Sequence, residues 1–130
     1  MNDALLMTDH VLHLADGFGI GARPRNDELW AAREAAELTT GRLVSVFSYD
    51  ETWEFQERHP TGDELAYVLA GEVDLLLDDS TGERGVRLAA GFAGVVPAGY
   101  WHRLAVHEPC TVFFITPVPA ETEHRACAAG

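Results

Sequence analysis

Glu57-Arg58-His59-Pro60-Thr61-Gly62-Asp63-Glu64 and Gly91-Phe92-Ala93-Gly94-Val95-Val96-Pro97-Ala98-Gly99-Tyr100-Trp101-His102 are the two stretches whose reading decides the fold. Each joins short β-forming runs through a tight Pro/Gly corner and sets a histidine or a carboxylate beside it. Side chains alternate faces along a strand, so Glu57 and His59 point one way and Arg58 the other. The corner at Pro60–Asp63 reverses the chain, and Glu64 opens the next run with the small residues Ala66, Val68 and Ala70 on its face. Asp63 is assigned to the turn itself. In the second stretch, Pro97-Ala98-Gly99 delivers His102, with Leu104 and Val106 beneath it and Arg103 and His107 on the opposite face. Two histidines and two carboxylates are thereby expected at one end of an apolar interior.

Outward from these stretches, the chain from Leu43 reads as β. Leu43–Tyr49, Thr52–Glu57, Leu65–Leu69, Val73–Leu77, Val86–Leu88, Gly94–Val96, His102–Val106 and Thr111–Thr116 are short β-branched or aromatic runs. Clusters such as Asp78-Asp79-Ser80-Thr81-Gly82 punctuate them. About eight short strands at near-regular spacing predict a sandwich or barrel. Residues 1–42 form an N-terminal arm and a short helix. Gly17, Gly19 and Gly21 lack the strand-and-helix context of a phosphate loop, so they are assigned to a flexible arm or edge strand. Asn26 can cap a helix over 26–38, with Asp27 and Glu28 in its first turn and Leu29, Trp30 and Leu38 as apolar contacts. Residues 43–116 form the barrel, and 117–130 an irregular tail over its surface.

A chain of 130 residues suits one domain with a single core. No apolar run reaches the roughly 20 residues that span a bilayer, and the N-terminus lacks a basic-then-apolar signal, so a cytoplasmic protein with no membrane partner is expected. The net charge of −12, with no lysine and nine arginines, argues against nucleic acid. Cys110 and Cys127 have no CxxC spacing and are expected to be free structural thiols.

The spacing resembles the two motifs of the cupin superfamily. The first motif there is His-x-His, three or four residues, Glu, six residues, Gly; this chain has Glu57-x-His59, four residues, Glu64, six residues, Gly71. The second is Gly, five residues, Pro-x-Gly, two residues, His, three residues, Asn; this chain has Gly91, Pro97-Ala98-Gly99, His102, and Val106 in the Asn place. Glu51 also stands where a glycine opens the family's first motif. Thr122-Glu123-His124-Arg125 resembles the tail of small single-domain cupins. The resemblance implies an all-β fold, a double-stranded β-helix (jelly-roll barrel) with a short N-terminal helix and arm. It also implies a divalent transition metal (zinc, iron, manganese or nickel) held by Glu57, His59, Glu64 and His102.

Glu57 stands where the family has a histidine. A carboxylate there can bind a divalent cation, and it shifts preference toward harder metals over copper. It could equally pair with an arginine, leaving His59, Glu64 and His102 as a two-His, one-carboxylate set. Glu64, an ionised carboxyl in an apolar barrel, must be paired, metal-bound or protonated. Trp53, Phe55, Ala66, Val68, Tyr100 and Leu104 are expected around the pocket, although core packing also accounts for the aromatic members. His10, His13, His107 and His124 carry no ligand spacing and are read as solvated or structural. The expected function is a metal-dependent enzyme acting on a small organic molecule (oxygenase, isomerase or lyase type), with Glu57 or Glu64 moving protons. A non-catalytic binding module is the alternative. The apolar arm suits strand addition to a second copy, so a homodimer is expected.

Overall fold

The computed structural model describes residues 3–29, 38, 40–118 and 122–127. Among these, nine strands form one antiparallel system: β1 His10–Leu14, β2 Ile20–Pro24, β3 Arg42–Tyr49, β4 Phe55–Arg58, β5 Glu64–Asp78, β6 Glu83–Ala89, β7 Ala93–Val96, β8 Trp101–Pro117 and β9 Glu123–Ala126. The order β2-β1-β3-β8-β4-β9 is one path, and β5 pairs with β6, β7 and β8. This is the jelly-roll barrel.

The two long strands do the work of several short ones. The first half of β5 lies between β7 and the end of β8, with Leu65 opposite both Val95 and Ile115. Its second half lies between β6 and the start of β8, with Leu75 opposite Val86 and Leu104. The expected pairs Leu65–Leu69 with Val73–Leu77, and His102–Val106 with Thr111–Thr116, are therefore merged. The break visible in the sequence between the first pair is a register shift within β5, where Gly71 takes φ 81°. That left-handed conformation lets the strand bend over its partner without ending its ladder.

Alternation along β5 and β8 buries Val68, Val73, Leu75, Leu104 and Val112 almost completely, and Trp53, Leu88, Val96 and Phe114 complete that core. A second, smaller cluster of Val11, Leu29, Leu38, Leu43 and Val118 fastens the N-terminal segment to the barrel. The arm is a β-hairpin: Leu14 pairs with Ile20, and β1 joins β3 through Leu12 and Val44. β2 is the outer strand of that sheet and is exposed throughout.

Two expectations change here. The tail read as irregular contains β9, whose residues pair with β4 from Phe55–Ala126 to Arg58–Glu123. Every residue of β9 is exposed, so it carries no apolar alternation by which a strand could be read. Of the helix expected over 26–38, only residues 26–29 and 38 are described, with 27–29 helical; its remaining residues lie outside the described residues. The cap is present, since Asn26 Oδ1 accepts the Leu29 N–H at 3.1 Å. Among the described residues no helix is long and apolar enough to cross a membrane. Cys110 and Cys127 are both free.

Candidate metal centre

Backbone pairing brings the two sequence stretches together before any side chain acts. Glu57 on β4 is the direct register partner of His102 on β8. The Gly99 N–H donates to the His59 carbonyl at 3.0 Å, and the Ala98 N–H donates to Asp63 Oδ1 at 2.8 Å. Asp63 thus does more than shape its own turn: it ties one corner to the other. Gly99, at φ 85°, takes the left-handed conformation in this corner, which a glycine adopts without strain.

Glu57, His59, Glu64 and His102 meet on the inner face, each offering one ligand atom, and these atoms all lie within 4.8 Å of one another. His102 Nε2 is 3.0 Å from Glu64 Oε1, and His59 Nε2 is 3.2 Å from Glu64 Oε2. Glu57 Oε2 stands 3.8 Å from both imidazole Nε2 atoms, so the carboxylate faces the histidines. His59, Glu64 and His102 are buried, whereas the Glu57 side chain keeps 17% of its surface. Burial alone would raise the Glu64 pKa, but the adjacent His102 and His59 outweigh it and hold the carboxyl well below its ordinary range. Burial likewise opposes charge on His102, yet Glu64, and then Glu57, raise its pKa overall.

The outward atoms of the group are held from elsewhere. His59 Nδ1 is 2.9 Å from Thr122 Oγ1, and His102 Nδ1 faces the Tyr100 carbonyl at 3.4 Å. Thr116 Oγ1 donates to Glu64 Oε2 at 2.7 Å, and His124 Nε2 lies 2.9 Å from Glu57 Oε1. Such outer partners fix ring orientation and tautomer, leaving Nε2 of each histidine directed inward. Inside, His59 Nε2, His102 Nε2 and Glu64 Oε1 are buried without an aligned hydrogen-bond partner. Buried polar atoms are almost always satisfied, so three acceptor-capable atoms facing one point without an aligned hydrogen bond are a group that could hold a cation. Two imidazoles and two carboxylates are a donor set suited to a divalent transition metal.

A cavity of about 320 Å³ opens beside the group, lined by residues including Phe47, Tyr49, Trp53, Phe55, Glu57, Glu64, Phe114, Thr116, Thr122 and His124. Of the expected pocket residues, Trp53 and Phe55 are in this lining. Ala66, Val68 and Leu104 are not: they are sealed in the main core with Leu75, Leu88 and Val96. The small side chains on β5 mark tight packing between layers, where a hollow was expected. Tyr100 packs against that core and lines a separate surface cleft with Arg58, Trp101 and Arg125.

His124 is read from the sequence as solvated or structural, and Thr122 and Tyr49 have no site role there; all three line the cavity. The Thr122-Glu123-His124 run was the one available signal. Tyr49 is half-buried, and burial first, then Glu57 and Glu64, push its phenol pKa up, so it stays a hydrogen-bond donor.

The sequence profile of the cupin domain matches residues 45–116. No curated protein matches the chain in sequence. Among solved structures, a cupin-2 domain protein from Shewanella frigidimarina is 23% identical with TM-score 0.51, over 59% of this chain and 71% of that one. A cupin superfamily protein from Desulfitobacterium hafniense is 26% identical with TM-score 0.50, over 59% and 67%. Oxalate decarboxylase of Bacillus subtilis, a protein with Mn(II) centres, is 18% identical with TM-score 0.55, over 68% of this chain and 24% of that one. With the matched segment covering more than half of its length, this chain belongs to the cupin domain family.

Proposed function

We propose that the barrel binds one divalent transition metal through His59, His102, Glu64 and Glu57, and that it is a metal-dependent enzyme acting on a small organic molecule. The observation that carries this reading is the set of orphaned buried atoms, His59 Nε2, His102 Nε2 and Glu64 Oε1, facing one another. Without a cation, these atoms have only the close but poorly aligned approaches of His102 and His59 to Glu64, at 3.0 and 3.2 Å, to offset their burial. A bound metal supplies Lewis acidity to a substrate oxygen or nitrogen.

The chain's own residues divide the remaining tasks. Glu64, sealed and tied to Thr116, has no freedom to move a proton and serves to hold charge in place. Glu57 borders the cavity and keeps one oxygen on His124, whose side chain is 56% exposed. That pair offers a route to solvent for a proton accepted at Glu57 Oε1, the oxygen turned away from the two histidines. Tyr49 stays protonated and can donate to a substrate oxygen.

Elemental analysis of untagged protein tests the assignment. About one zinc, iron, manganese or nickel per chain is expected; a metal content near zero after exposure to each would defeat it. We also infer a homodimer, from the exposed edge strand β2 and the exposed Phe18 and Ile20 of its hairpin. Light scattering should then give twice the monomer mass, and a monomer mass at all concentrations would exclude it.

A further inference from the structure

We propose that the cavity takes an uncharged, planar molecule of aromatic size that brings a hydrogen-bond acceptor, and that it discriminates against carboxylates and phosphates. This rests on the metal reading of the same site. Shape is the first support. Phe47, Tyr49, Trp53, Phe55 and Phe114 form a continuous run of rings along the cavity, with centroids 6.2 Å apart for Phe47–Tyr49, 5.4 Å for Tyr49–Trp53 and 5.1 Å for Trp53–Phe55. Trp53 and Phe114 close the group at 6.5 Å. A flat ligand gains edge and face contacts against such a wall that a small polar anion cannot.

Charge is the second support. Glu57 and Glu64 both border the cavity, and two carboxylates offset a dication charge for charge. An entering anion therefore finds no net attraction at the centre and meets the field of a chain of net charge −12. Nor does a lysine or arginine among the described residues line the cavity to receive it; the chain has no lysine at all. Arg25 lies over Phe47 but donates to the Val46 carbonyl at 2.6 Å. Arg58, Arg103 and Arg125 are engaged by Glu123, Glu83 and Asp78.

The third support is an unmet donor. Trp53 is 7% exposed and lines the cavity, yet its Nε1–H is buried without an acceptor among the described residues. A buried indole N–H usually finds a partner. A neutral ligand with a carbonyl, hydroxyl or ether oxygen would provide it once a turn of the indole brings that N–H to the cavity wall.

Fluorine NMR of the zinc-loaded full-length chain with 4-fluorobenzamide and 4-fluorobenzoate, probes of matched size and opposite charge state, tests this. The amide should bind at least about tenfold tighter than the carboxylate. Trp53→Phe should weaken the amide roughly fivefold while leaving the carboxylate unchanged. Phe55→Ala, at a position already 40% exposed and so unlike a core deletion, should weaken the amide by a similar factor. Equal or tighter binding of 4-fluorobenzoate would overturn the proposal, as would binding of neither probe at millimolar concentration. Zinc content is measured on the same samples, so failure of the metal reading appears as missing zinc whatever the probes do.

Discussion

His102→Ala is expected to abolish metal binding, lowering affinity by well over about a hundredfold, because outer-shell losses alone cost about 10–100-fold. The imidazole is 1% exposed and its Nε2 lies 3.0 Å from Glu64 Oε1, so its removal takes one nitrogen donor out of the centre of the group, and a water entering the vacated space is a far weaker ligand. The metal-free protein should lose stability as well. Removing one partner of a buried charged group leaves the other uncompensated, at a cost of about 3–5 kcal/mol. His102→Gln separates the two effects, since it fills most of the space but cannot restore imidazole coordination. Titration with zinc against a competing chelator is the measurement; near-wild-type affinity in His102→Ala would place the metal elsewhere.

The pH dependence of the wild type follows from the same atoms. A metal binds the neutral imidazole, so protons compete for His102 Nε2. Because Glu64 raises the His102 pKa, proton competition begins at a higher pH than for a free histidine, and affinity should fall as pH is lowered through that raised value. Glu64, held below its ordinary range, stays ionised throughout that window and does not offset the loss.

Gly71→Ala is expected to be strongly destabilising for a single added methyl group. Gly71 adopts φ 81°, and an added Cβ would lie 2.7 Å from Cys110 Cα and closer still to the Pro109 carbonyl oxygen. Both obstacles are backbone of the opposite strand, so no rotamer change relieves them. Left-handed strain costs about 1–3 kcal/mol for a non-glycine residue, and the clash adds to it. A total near 4 kcal/mol should lower the melting temperature by roughly 12–20 °C. Gly91→Ala is the control: its φ is 92° but nothing lies within 4 Å, so only the conformational part remains. Calorimetry giving both variants the same melting temperature would show that the β5–β8 approach is not what Gly71 is needed for.

Gly71 also shows what was legible. Its spacing from Glu64 marked it as part of a motif, but its reason lies in Pro109 and Cys110, on a strand far along the chain. The four residues of the candidate metal centre were readable for the opposite reason. Alternation puts Glu57 and His59 on one face, and the two tight corners set Glu64 and His102 at strand starts, all of which are local properties. Ala66 and Val68 misled because small size at an inward position fits both a cavity and a tightly packed layer. Only the residues across the barrel distinguish the two.

The sequence by itself determined the strands of the barrel, the pair of corners and the inward side chains that could hold a metal, because strand period and turn chemistry act within a few residues. Only the tertiary structure decided whether an arginine or another group holds Glu57, and what surrounds it. Its partner His124 is 67 positions away, and the Thr122 that steadies His59 is 63. Both lie on or beside an exposed edge strand whose place comes from backbone pairing with β4 and leaves no hydrophobic pattern in the chain.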